Sequence, residues 1–312
     1  MKTTLVFYCF LMLFFISFIY TGCSKDEEDT IKETEVICNE IRAGLTGNIV
    51  FINKSNHVMK TSFHGSSFKI GNSTLPPKWS PDGNLIAFVE NDNENTIVKI
   101  FNKNGNEENS WLLMPSIQSD GINPLTWSPA GTTIAILNRL SEIIYLNISN
   151  GEKSMTQIGQ EETPIRSIAW CPKNNKIAIA QYFGVNSKSI SMINAFENNP
   201  NKELLVNTED FVEYMDWNTD GSKLVYSGFG YGSVYTINFD GTENQKIITK
   251  GIFEKEPVFG FAPCWMSNGN QIIYVGITGT DGSTLIPGLF VTETEGAYNV
   301  NLEIEGTKPD CI

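Results

Sequence analysis

The chain has 312 residues, 41% of them hydrophobic and 18% charged, with a formal net charge of −13 and a sequence pI near 4.7. That apolar share suffices for a sizeable core and excludes an intrinsically disordered polymer. The acidic balance excludes a nucleic-acid binder, because polyphosphate recognition needs clustered Lys and Arg to displace counterions.

The first element in chain order is an export signal. Lys2 precedes an apolar run of 15 residues from Leu5 to Ile19, which suits a signal core and is short for a membrane-spanning helix. The sequence Tyr20-Thr21-Gly22-Cys23 follows, and its Gly22-Cys23 pair resembles the lipobox of bacterial lipoproteins. The resemblance implies that residues 1–22 are a lipoprotein signal peptide and that Cys23 is the lipidated first residue, anchoring the chain to a membrane. Cleavage nearby by the general signal peptidase, with Cys23 an incidental thiol, is the alternative. Residues 23–44 then read as the lipidated Cys and an acidic tether. Asp26, Glu27, Glu28 and Asp29 repel one another and hold a folded domain off the headgroups. The same run is similar to the signal that brings lipoproteins of Bacteroidota to the outer face of the outer membrane, which implies an outer-membrane, surface-exposed protein; the periplasmic face is the alternative. No helix is expected along the chain.

From residue 45 onward the chain repeats. Trp recurs at 79, 127, 170, 217 and 265, at spacings of 48, 43, 47 and 48, and each Trp opens a similar stretch: WSPDGNLIAF, WSPAGTTIAI, WCPKNNKIAI, WNTDGSKLVY and WMSNGNQIIY. In Ser80-Pro81-Asp82-Gly83, Pro supplies the φ that the second position of a type I turn wants, and Asp and Gly suit the next two. A strand therefore ends at Trp79 and another returns through Ile86-Ala87-Phe88. A third strand and a tight turn follow in most repeats, as at Asn104-Gly105, Asn150-Gly151 and Asp240-Gly241, and then a fourth strand.

Four antiparallel strands every 43 to 48 residues define a β-propeller, in which each blade covers its neighbour's apolar face. The N-terminal unit from Asn48 lacks a first strand. Cys311 lies 46 residues past Trp265, where the next Trp is due, so the C-terminal strand should complete the blade that the N-terminus begins. The expected fold is all-β, a six-bladed propeller over residues 45–312. The stretch WSPDG, then IAF, then a third strand ending at Asp-Gly resembles the WD40-like repeats of TolB-type six-bladed propellers. That resemblance implies binding of envelope proteins through the propeller, although residues 24–44 leave no room for the N-terminal α/β domain such proteins carry.

Catalytic signals are thin. No Ser has Gly two residues before and two after, so the nucleophile elbow of an α/β-hydrolase is absent. His57 and His64 are the only histidines, too few for a His-based metal site. The glycines of GFGYG at 228–232 precede a strand, whereas phosphate recognition there needs a helix N-terminus. NDNEN at 91–95 and GTDGS at 279–283 offer alternating oxygen ligands but lack the far bidentate Glu of a calcium loop. No metal or cofactor is expected.

In an oxidising compartment Cys38, Cys171, Cys264 and Cys311 remain in the mature chain. A Cys38–Cys311 disulfide would staple the ring, with reduced thiols the alternative; Cys171 and Cys264 read as buried thiols. The repeated Trp residues read as packing between blades. Function is sought where the repeats differ, in the loops that join second to third strands and one blade to the next. There Tyr182, Phe183, Phe211, Phe229, Tyr231 and Phe253 lie beside acidic residues such as Glu209 and Asp210, the composition of a binding surface. The reading is a non-catalytic, lipid-anchored envelope propeller whose loop face binds a protein or peptide. The rival is a surface glycan-binding protein of a polysaccharide-uptake system, and a glycan-active enzyme comes last.

Overall fold

A computed structural model of the protein describes residues 27–92, 95–115, 123–138, 140–159, 164–182, 187–229, 233–247, 259–278, 286–294 and 298–312. The chain divides into two compact units, 1–40 and 41–312. The signal segment and Cys23 lie outside the described residues. Glu27–Gly44 is an α-helix, where a tether and no helix were expected. Acidic residues, which repel one another in a coil, also suit the sequence of a first helical turn, because the N-terminal end of a helix dipole is positive. Farther along, Ile37, Cys38 and Ile41 recur at helical spacing. Among the described residues no helix is long and apolar enough to cross a membrane.

The second unit is the six-bladed propeller. Each blade is a sheet of four antiparallel strands. The first blade is made from both ends of the unit: Thr307–Cys311 is its inner strand and pairs with Asn48–Ile52, followed by His57–Ser62 and Phe68–Asn72. The other inner strands are Lys78–Trp79, Leu125–Trp127, Ile165–Trp170, Phe211–Trp217 and Phe259–Trp265. They pack side by side around the ring, and the last lies against Thr307–Cys311. The expected count of six blades and the expected closure are both observed.

The turn after each inner strand follows from its residues. The Ser80 hydroxyl accepts from Leu85 N at 2.9 Å and donates to Asp82 Oδ1 at 2.6 Å, while Gly83 N donates to Ser80 O at 2.9 Å. Gly83 has φ +67°, and its equivalents Gly131, Gly221 and Gly269 have +67°, +66° and +72°, a left-handed region in which Gly has no Cβ to clash. Because the strands alternate in direction, these turns and those between third and fourth strands emerge on one face of the ring, the turn face. The variable loops emerge on the other.

Apolar side chains fill the spaces between blades. Trp79 packs with Val50, Val58 and Ile70 of the preceding blade, Trp127 with Val89, Val98 and Leu113, and Trp265 with Val225 and Val234. All five repeat Trp residues are at most 6% exposed. Each is thus a spacer between its own blade and the one before it.

Beside these spacers, each junction carries a specific tie made by the residue preceding the Trp position. Asp310 Oδ2 accepts from Trp79 N at 2.6 Å, Thr126 Oγ1 from Trp170 N at 3.0 Å, and Asp216 Oδ2 from Trp265 N at 2.8 Å. Lys78 and Ala169 have no short acceptor to offer, and there the next indole donates to the backbone: Trp127 Nε1 to Lys78 O and Trp217 Nε1 to Ala169 O, each at 3.1 Å. The sixth junction is covalent, a disulfide between Cys264 and Cys311 with Cα atoms 6.1 Å apart.

That disulfide corrects two expectations, the pairing of Cys38 with Cys311 and the thiol state of Cys264. Cys264 directly precedes Trp265, and Cys311 stands in the Trp position of the first blade. The two are therefore neighbours for the same reason that Asp310 and Trp79 are. Cys171 is a buried thiol, as expected. The bridge closes a loop with a sequence separation of 47, for which loss of unfolded-chain entropy is worth roughly 4 kcal/mol. Cys264→Ala is expected to lower the unfolding free energy by about that amount in urea denaturation without reductant, and reductant should weaken the wild type similarly while leaving the variant unchanged.

Candidate functional site

Three of the residues that precede the Trp position converge on the axis of the ring. Lys78 Nζ lies 2.7 Å from Asp310 Oδ1 and 3.8 Å from Asp216 Oδ1. Lys78 belongs to the second blade and Asp216 to the fifth, which is opposite in a ring of six. The ammonium thus spans the channel. A second crossing runs from Asn123 Nδ2 to Met215 O at 3.0 Å, joining the third blade to the fifth.

The electrostatics of this cluster are those of two carboxylates sharing one ammonium. Burial works against the charge on Lys78, but Asp310 and Asp216 outweigh it and hold its pKa above the usual lysine value. Burial, helped by the charge of Asp310 and opposed by Lys78, pushes the Asp216 carboxyl up to about 6. Asp216 is the more distant partner of Lys78, so it carries the charge that is least compensated.

Asp216 titrates near ~3.9 in an unfolded chain and near 6 in the fold, so the folded state binds its proton more tightly. Its stabilising contribution is fully present below about 4 and is lost as pH rises through 6. The Asp216 side chain is 25% exposed, and solvent screening keeps the effect below the roughly 1.4 kcal/mol that each tenfold gain in proton affinity would otherwise carry. Asp216→Asn keeps an acceptor for Trp265 N and removes the excess charge. Thermal denaturation over a pH series should show a flatter profile for this variant through that interval, and a Tm at neutral pH no lower than that of the wild type.

The loop face holds a different arrangement, at the junction of the fourth and fifth blades. Tyr182 ends the second strand of the fourth blade and Phe211 begins the inner strand of the fifth. Their rings meet edge to face with centroids 4.9 Å apart. The Arg166 guanidinium lies 5.6 Å from the Tyr182 centroid and Lys188 Nζ 4.5 Å from that of Phe211. Arg166 also donates to the Tyr182 hydroxyl, and Lys188 to Glu209 O at 2.7 Å. The result is a row of cation, ring, ring and cation, both rings half-buried. The Lys188 contact with Phe211 is worth about 0.5–1 kcal/mol at an exposed site, while Arg166 holds Tyr182 by its hydroxyl.

Beside the row is a cavity of about 320 Å³ whose lining includes Thr208, Glu209, Asp210, Tyr226 and Lys246. Burial raises the Asp210 carboxyl above its usual range, with Lys188 opposing. Glu213, on the same inner strand as Phe211, is also raised by burial against the pull of Arg166 and Lys308.

Of the six aromatic residues singled out in the sequence, Tyr182 and Phe211 are brought into contact. Phe229 ends its strand opposite Phe211 in backbone register, while Phe183, Tyr231 and Phe253 lie outside the described residues. His64 Nε2 lies 3.0 Å from Leu45 O. Within NDNEN, Asp92 pairs with Asn95 where two neighbouring strands of the second blade meet; GTDGS lies outside the described residues. The central cluster escapes a reading of the loops alone. Its signal is the charged residue immediately before a repeat Trp, at Lys78 and Asp216, and before Cys311, at Asp310.

A six-bladed propeller with WD40-like repeats is thus the class to which this fold and its repeated ties point. Residues 77–173 match the family model of the WD40 domain of anaphase-promoting complex subunit 4. No curated protein sequence matches the chain. Among solved structures, TolB from Acinetobacter baumannii is similar with a TM-score of 0.63 and 17% identity, over 85% of this chain and 66% of that one. The chain therefore spans just under two thirds of the length of that TolB. The nidogen/laminin complex is similar with a TM-score of 0.59 and 8% identity, over 86% of this chain and 98% of that one. An oligogalacturonate lyase in complex with manganese is similar with a TM-score of 0.53 and 12% identity, over 82% and 73%. At these identities the likeness is one of fold.

Proposed function

We propose that the protein is a non-catalytic, lipid-anchored propeller of the cell envelope that binds a protein or peptide through its loop face. The observation that carries the binding is the row Arg166, Tyr182, Phe211 and Lys188. It sets half-buried aromatic rings and charged groups at a blade junction, beside a polar cavity of about 320 Å³. Aromatic and Arg anchors next to a recess are the usual centre of a protein interface. The TolB-like fold supports the same reading, as does the likeness to a propeller solved within a protein complex. Anchoring at Cys23 and display at the outer face of the outer membrane rest on Gly22-Cys23 and the acidic run after it.

The test is in-cell cross-linking of the tagged protein, comparing wild type with a folded Tyr182→Ala, Phe211→Ala double variant. A discrete protein partner is expected with the wild type, bound about tenfold or more weakly by the variant once both are purified. Saturable binding of a polysaccharide without any protein partner would replace this reading with glycan capture. Release of product from that glycan would make the protein an enzyme.

A further inference from the structure

The turn face carries a recess that the loop-face reading does not use. It is a cavity of about 190 Å³ on the ring axis, walled by Trp79, Trp127, Trp170, Trp217 and Trp265, with Lys78, Asp216 and Asp310 in its lining. Ser80, Pro81 and Pro172, which follow the Trp residues into the turns, also line it, so it opens on the turn face.

We propose that this cavity is a binding site for a small organic cation, whose ammonium head is held by Asp216 among the indoles. The first support is charge. Two carboxylates share a single ammonium at 2.7 and 3.8 Å, which leaves one negative charge over. A buried charge without a partner is costly, and either a proton or a cation from outside relieves it.

The second support is access. The Asp216 side chain is 25% exposed, against 8% for Asp310 and 11% for Lys78. It is the member of the cluster that an incoming ligand reaches. Asp216 Oδ2 is engaged by Trp265 N, and Oδ1 stands too far from Lys78 for a hydrogen bond.

The third support is the wall. Five Trp residues line it, and apolar aromatic surroundings accommodate the alkyl groups of an organic ammonium. A divalent metal asks instead for six or more oxygen ligands. Among the described residues no group of three or more His, Cys, Asp or Glu is placed to hold one. The volume suits a compact head group, either free or at the tip of a partner's side chain. The site lies on the face opposite the aromatic row and stands independently of it.

The test uses two probes, tetramethylammonium and the primary ammonium of N-acetyl-lysine amide, titrated into the purified protein at neutral pH with sodium chloride at equal ionic strength as control. Tryptophan fluorescence and calorimetry report binding. The expected result is a saturable response to an organic ammonium and none to sodium, weakened about tenfold or more in Asp216→Asn. Circular dichroism confirms that this variant is folded. Binding should be unchanged in the Tyr182→Ala, Phe211→Ala variant and should fall as the pH drops below 6, where Asp216 takes up its proton. No saturable response to either probe, a response matched by sodium, or undiminished affinity in folded Asp216→Asn would overturn the proposal.

Discussion

A closed ring of blades must solve the same problem at every junction: an inner strand has to be fixed to the next without a continuous sheet between them. Here the solution lies at one register position, the residue before each repeat Trp. Where that residue has a short acceptor, as at Asp310, Thr126 and Asp216, it binds the backbone N–H of the next Trp. Where it is Lys78 or Ala169, its backbone carbonyl takes the next indole N–H instead. The indole nitrogens of Trp79, Trp170 and Trp265, whose backbone amides are the ones already held, have no partner of their own. The two modes therefore alternate around the ring, and the disulfide completes the circuit between the sixth blade and the first.

Placing charged residues at this position has consequences beyond closure. Lys78, Asp216 and Asp310 come from three different blades, and their convergence ties opposite sides of the ring through its axis. The close pair, Lys78 and Asp310, contributes little net stability but is strongly destabilising if either of those two is removed, whereas Asp216 is the carboxylate in excess. The excess carboxylate faces the turn-side cavity, so the feature that fixes the ring also gives it a chemically distinct centre. The loop side is different in character, with cations stacked on rings at its edge. The two faces of one scaffold thus carry two different arrangements of charge and aromatic rings.

Much of the fold is legible in the sequence because its signals are local and repeated. Trp, Pro, Asp and Gly at fixed offsets specify a strand end and a turn, and the 46 residues from Trp265 to Cys311 show which strand closes the ring. The disulfide is not legible in the same way, because the places of Cys38 and Cys311 in the chain suggest a different pair. Register pairs Cys264 with Cys311 instead, as the residue before one Trp and the occupant of the next Trp position. The helix at Glu27–Gly44 is hidden because its acidic start suits both a repelling coil and a helix N-terminus. Tyr182 and Phe211 stand out as loop-face residues, but Arg166 and Lys188 do not, since only the packed blades bring a cation onto each ring. The axial cluster is harder still. Lys78, Asp216 and Asp310 are far apart in sequence, and nothing but the shared offset from the Trp position links them.

The ties at this one position make the ring a single cooperative unit. Native-state hydrogen exchange of the backbone amides of Trp79, Trp170 and Trp265 tests it most directly, because these donate to Asp310, Thr126 and Asp216 across three separate junctions. All three are expected to exchange only through global unfolding, with the same free energy and the same denaturant dependence. Exchange of any one of them through a local opening, at a free energy well below the others, would show that its junction opens alone and that the ring is not one cooperative unit.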